Sequence, residues 1–142
     1  MSEQNKAVFR RIVDEVFNQG RLQTADELGA GYIEHSPAPG QSPGVEGFKQ
    51  LVQMFRQAFP DLRVSIDDLI AEGDKVVARM TTSGTHQGQF FGFPPTGKKI
   101  SILEIHILRI ANGKVLEHWG VSNDLQMMQQ LGVLPADALP QA

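Results

Sequence analysis

The sequence predicts an α+β fold in which an antiparallel sheet packs against helices on one side. Three observations lead there. Apolar residues recur at helical spacing through the first third of the chain. From Leu62 onward they alternate, as in half-buried strands. Turn residues at Glu72-Gly73-Asp74 and Asn112-Gly113 join the alternating stretches as hairpins. Helices first and hairpin-linked strands later is the order of an α+β domain. A strongly twisted sheet folded over a long helix leaves a conical cavity between them, the expected place for a ligand.

Phe9, Ile12, Val13, Val16 and Phe17 put one apolar stripe on a helix over 3–18, which Gly20 ends. A short helix over 21–28 turns Leu22 and Ala25 inward, and Gly29 and Gly31 stop it. Tyr32 to His35 forms a brief extended piece, because Pro37 limits any helix there. Residues 36–44 hold three prolines and two glycines and make a loop. Phe48, Leu51, Val52, Phe55 and Phe59 mark a third helix, closed by Pro60.

Leu62, Val64 and Ile66 alternate with Arg63, Ser65 and Asp67 in the first long strand. Residues 76–85, 100–110 and 115–122 supply three more, with a loop rich in Phe, Gly and Pro over 88–97. Leu125, Met128 and Leu131 begin and end a terminal helix that Gly132 stops. The tail over 135–142 is expected to be loose. No repeat or linker divides residues 1–142, so a single domain is expected.

The chain has 142 residues, 41% of them hydrophobic, enough for a real core. Its formal charge of −3 draws it to no nucleic acid, and Lys98-Lys99 is the largest basic cluster, beside a turn. The absence of cysteine excludes disulfides, thiolate metal sites and cysteine nucleophiles. No apolar run is long enough to span a bilayer, and the N-terminus opens without an apolar signal segment. A soluble cytoplasmic protein, with no membrane or nucleic-acid partner, is expected. No glycine-rich phosphate cradle and no closely spaced metal-binding histidines occur, so no metal or cofactor is expected.

The chemistry concentrates in Glu117-His118-Trp119 and the following Asn123-Asp124. The Asn112-Gly113 turn decides whether His106 and His118 meet. A two-residue loop sets His106 opposite Trp119, and His118 then faces away. A three-residue loop with a glycine bulge sets His106 opposite His118. The latter is the expected register, with Leu108, His106, His118 and Leu116 inward and Gly120 leaving space beside them.

Each candidate has two readings. Asp124 is a general acid/base in an apolar cavity or the N-cap of the last helix, a role Asn123 also fits. His118 and His106 place or protonate a carbonyl oxygen, or are core histidines bonded to backbone. His35 reaches the cavity mouth or caps a loop. Arg79, in phase with Val77 and Thr81, neutralises an enolate or carboxylate or forms an exposed cross-strand ion pair. Trp119 is a core residue or a ligand platform. Phe90, Phe91 and Phe93 form an apolar lid or a dimer contact. Tyr32, Asn123, Phe55 and Phe91 complete the candidate substrate contacts.

An ordered series of short motifs supports a family resemblance. It runs through Tyr32 with His35 and Pro37, Gly47-Phe48-Lys49, Phe59-Pro60-Asp61 and Glu72-Gly73-Asp74. It continues through Arg79 with Gly84-Thr85-His86, Gly92-Phe93-Pro94-Pro95-Thr96-Gly97, Gly113-Lys114, Glu117-His118-Trp119 and Gln130-Leu131-Gly132. From the first helix to Gly132 the chain resembles a SnoaL-like polyketide cyclase of the nuclear transport factor 2-like superfamily.

The resemblance implies a cone-shaped barrel with an apolar pocket, commonly dimeric. It implies intramolecular aldol closure of a polyketide ester, without cofactor or metal, by an acidic residue near a histidine. The family acid stands four residues after the tryptophan, where this chain has Asn123. His106 falls where the family often has Asp or another polar group. Three outcomes are open: Asp124 has taken over, His106 and His118 act instead, or aldol activity is absent. In the last case the pocket serves a binding or dimerisation domain, or a hydrolase, dehydratase or isomerase.

Overall fold

A computed structural model describes residues 2–135. The expectation of a loose tail therefore falls, from residue 136 onward, outside the described residues. Helix α1 (Ser2–Arg11) runs on into a π-helical stretch, Ile12–Asn18, that buries Ile12, Val13 and Val16. The first predicted helix thus forms with its second half more loosely wound. A 3-10 helix, Leu22–Glu27, follows with Ala25 buried. Then come β1 (Leu28–Glu34), α2 (Gly44–Ala58), β2 (Arg63–Glu72), β3 (Lys75–Thr85), β4 (Lys99–Ala111), β5 (Lys114–Ser122) and α3 (Asp124–Leu131).

The five strands form one sheet in the order β1-β5-β4-β3-β2. The hairpin-linked strands pair antiparallel, as expected. The exception is β1, which runs parallel to β5 and sets Glu34 beside His118. The extended piece seen in sequence is also longer than expected, because it gains a ladder along β5.

Alternation on β3 and β4 divides the sheet into two faces. Val76, Ala78, Met80 and Thr82 are buried on the inner one. Ile100, Ile102, Glu104, His106 and Leu108 stand opposite them or their neighbours on that face. Two apolar clusters contribute to the walls of the inner space. One joins the π-helical stretch, Val52 and the inner strand residues; the other joins Phe59, Phe90, Ile102, Met127 and Leu131. The outer face leaves Leu103, Ile105 and Val121 exposed, Val121 to 75%.

The β4–β5 hairpin corrects the expected register. Asn112 and Gly113 both have positive φ, 52° and 75°, and form a two-residue loop with Ala111 opposite Lys114. A bulge then shifts the ladder between Arg109 and Ile110, so Leu108 lies opposite His118 and His106 opposite Gly120. The one-residue shift restores the parity that the short loop alone would reverse. His106 and His118 therefore share a face, as diagonal rather than direct neighbours. Leu116, expected inward, lies at the bulge against Gly29, and buried Val115 takes the inner position. No helix among the described residues is long and apolar enough to cross a membrane.

Candidate active site

Between α1, α2 and the inner sheet face lies a cavity of about 780 Å³. Its walls include Phe9, Ile12, Val13 and Phe17 from the first helix and Phe48, Leu51 and Phe55 from α2. Leu108 and Val115 line it from the sheet, and Met127 and Met128 from α3. Several of its polar groups form one connected cluster. His118 Nε2 and His106 Nδ1 are 2.8 Å apart, with the rings stacked at 23°. Gly120 makes this possible, since a Cβ there would stand 2.3 Å from His106 Nδ1 and 2.9 Å from His118 Nε2.

A carboxylate holds the outer nitrogen of each ring. Glu34 Oε1 and Oε2 lie 2.6 and 2.8 Å from His118 Nδ1. Glu104 Oε1 lies 3.3 Å from His106 Nε2. Tyr32 donates its hydroxyl to Glu34 at 2.6 Å, and the Thr82 hydroxyl donates to Glu104. The chain Tyr32–Glu34–His118–His106–Glu104–Thr82 is thus continuous.

Carboxylates accept, so both outer ring nitrogens carry hydrogens. The inner contact is made by a hydrogen on one of the two facing nitrogens, with the other as acceptor. Burial works against charge on Glu34, but hydrogen bonds from His118 and Tyr32 outweigh it and hold the carboxyl below its ordinary range. Glu104 follows the same pattern: burial opposes its charge, and His106 and then Thr82 bring it down. The Tyr32 phenol is pushed the other way, by burial first and by its bond to Glu34 second.

Tyr32, Phe55 and Phe91 line the cavity. Asp124 also lines it but is exposed at the rim, where Oδ1 accepts from the Ser122 hydroxyl at 2.6 Å. No direct bond links it to the imidazole pair. Asn123 is the cap: its side chain accepts from Gln126 N–H, so it is tied to the helix end and does not line the cavity.

Three other candidates fall on the wrong side of the sheet. Arg79 is on the outer face and pairs with Asp68 at 2.7 Å, the cross-strand ion pair. His35 stacks on Trp119 at 4.7 Å and bonds to Glu117 at 2.9 Å. Trp119 therefore packs outside the cavity, under His35, with Lys75 Nζ 5.5 Å from its ring. Strand alternation gives the physical reason, since His118 inward forces Trp119 outward.

Sequence reasoning missed Glu34 and Glu104. Glu104 stands two residues before His106 on one strand, and this spacing alone puts both on one face. Glu34 gave no such signal, because it meets His118 only through the parallel β1–β5 pairing. Among the described residues, no three histidine, aspartate or glutamate side chains are placed to hold a metal ion.

Residues 7–131 match the family described as SnoaL-like polyketide cyclase. An aklanonic acid methyl ester cyclase of Streptomyces peucetius is 31% identical over 133 residues, covering 88% of each chain. A nogalonic acid methyl ester cyclase of Streptomyces nogalater is 31% identical over 123 residues, covering 82% of this chain and 89% of its own. The solved structure of TsrD from Streptomyces laurentii superposes with a TM-score of 0.84 at 32% identity, over 93% of this chain and 97% of that one.

Proposed function

Because the chain belongs to the SnoaL-like polyketide cyclase family, we propose that it closes a ring by intramolecular aldol addition in a neutral polyketide ester, using acid/base groups alone. The observation that carries this reading is the hydrogen-bonded His118–His106 pair, backed by two carboxylates, in the wall of a largely apolar cavity. A carbon between two carbonyls is acidic enough for a modest base. The base removes that proton, the enolate carbon attacks a ketone carbonyl of the same molecule, and the new alkoxide takes a proton.

Asp124 is assigned the base role. Ser122 occupies one of its oxygens and its place at the rim faces the entering ligand. The imidazole pair is assigned the acid role. The hydrogen of the N–H···N contact passes to a substrate oxygen when that oxygen displaces the accepting ring nitrogen. Glu34 and Glu104 keep the outer hydrogens in place and so orient both rings. Such donors, held in a dry site, stabilise a developing enolate or alkoxide more strongly than water does. The lining includes Glu34, Glu104 and Asp124 with no lysine or arginine, which favours a neutral ester over a free carboxylate. The two curated relatives described above are named for methyl esters.

A homodimer is proposed through the outer sheet face, where Leu103, Ile105 and Val121 form an exposed apolar strip. A second reading has a specific observation behind it. Asn123 stands at the family's acid position and Asp124 is solvent-exposed, which favours a pocket that binds without turnover.

Incubation with an aromatic β-keto methyl ester that carries a ketone in reach separates the two readings. Ring closure is followed by NMR, since the product is an isomer. Asp124→Asn is expected to lower turnover by about two to four powers of ten with the fold intact. An unchanged rate removes Asp124 from the mechanism, and binding without closure by the wild type supports the second reading.

A further inference from the structure

Gln41 lies in the loop between β1 and α2. It lines both the large cavity and a smaller pocket of about 110 Å³ beside it. One end of its amide is fixed. Oε1 accepts from Ala38 N–H at 2.9 Å, and Gln41 N–H donates to the Ala38 carbonyl at 3.0 Å. This bond distinguishes the amide oxygen from the nitrogen. Nε2 is left with two hydrogens, is buried and has no acceptor. Buried donors without partners are rare, because the hydrogen bond lost from water is not replaced.

Among the described residues one other buried side-chain atom shares this state, His86 Nε2. His86 packs against the rings of Phe59 and Phe90 and lines neither space. Gln41 differs because it stands at a partition. The two spaces share Ala38, Pro39, Gln41, Leu51 and Phe91, and Gln41 is the polar member of that set. Phe91 is held there at φ 46°, a conformation that a bulky side chain seldom adopts. Paired backbone bonds between Phe90 and Phe93, at 3.0 and 2.8 Å, keep it in place. Strained backbone held by its surroundings concentrates at ligand contacts.

We propose that Gln41 is a substrate-binding residue whose Nε2 donates to a neutral carbonyl oxygen, with the adjoining apolar end of the ligand against Phe91 and Leu51. A neutral amide donor with no cation beside it suits an ester or ketone oxygen rather than a carboxylate. This rests on the proposed reading of the large cavity as the substrate site. It adds a second oxygen contact, outside the imidazole–carboxylate chain, that selects which carbonyl compounds are held.

The test is calorimetric titration with methyl 2-naphthoate and with 2-propylnaphthalene, which has a similar outline and no oxygen. Gln41→Leu removes the donor. Gln41→Glu, measured at pH 8, also removes it while leaving an oxygen for Ala38 N–H, so the loop keeps its tie. Both variants are expected to weaken ester binding about tenfold and to leave hydrocarbon binding within about twofold, the scale of one lost hydrogen bond.

The proposal is overturned if both probes weaken equally, if neither does, or if the wild type takes the ester no better than the hydrocarbon. Ester binding that depends on Gln41, with no ring closure on any keto ester, leaves it standing and sinks the cyclase reading alone.

Discussion

Replacing Gly120 with alanine puts one methyl group between two imidazoles. The added Cβ would stand 2.3 Å from His106 Nδ1 and 2.8 Å from His106 Cε1, against an ordinary contact of 3.4 Å or more. His118 Nε2 would be only 2.9 Å away. The His106 ring must therefore retreat by about 1 Å, which takes an N···N contact of 2.8 Å beyond hydrogen-bond range.

Overpacking of this kind costs about 1–3 kcal/mol. At roughly 4 °C per kcal/mol for a chain of this size, the melting temperature is expected to fall by about 4–12 °C with the fold retained. Turnover is expected to fall further, by about two powers of ten or more, because the shared hydrogen is lost as a unit. Gly31→Ala is the control, since a Cβ at Gly31 meets nothing within 4 Å. Calorimetry and the ring-closure assay read both effects. A Gly120→Ala protein with wild-type melting and wild-type turnover would refute the contact and the role given to it.

Glu34 and Glu104 make stability depend on acid. Both carboxyls lie below their ordinary value of 4.5, so the folded state holds their charge better than the unfolded chain does. That stabilisation is complete above about pH 4.5 and is lost as pH falls through the folded values. Urea midpoints measured from pH 6 to pH 3 should drop, and Glu104→Gln should flatten the drop; an identical slope in the variant would contradict the assignment. Arg79→Ala should leave ring closure unchanged, because its ion pair with Asp68 is exposed on the outer face; a lost rate would return Arg79 to the mechanism. Val121→Asp with Ile105→Asp should convert the proposed dimer to monomer in sedimentation equilibrium, and a wild-type mass in the double variant would place the interface elsewhere.

Much of this was local and therefore legible in the sequence. Period-two alternation located β2 to β5, since each strand needed only its own residues to declare a buried face. Gly132 at φ 79° ends α3 as a glycine stop should, and Asn123 caps its start. The shared face of His106 and His118 was also inferred, although the expected loop was wrong. The bulge supplied the parity that a three-residue turn would have given. The same alternation, followed one residue further, places Trp119 outside.

What the sequence by itself determined was the set of elements and the apolar face of each. Both depend on spacing within one segment. The tertiary structure alone decided which acid meets the two histidines. Glu34 reaches His118 because a parallel pairing brings together residues 84 positions apart, and no local pattern encodes that pairing. It also decided that His35 and Arg79 lie outside, because a side chain's access to a cavity is set by the face that the whole sheet turns inward.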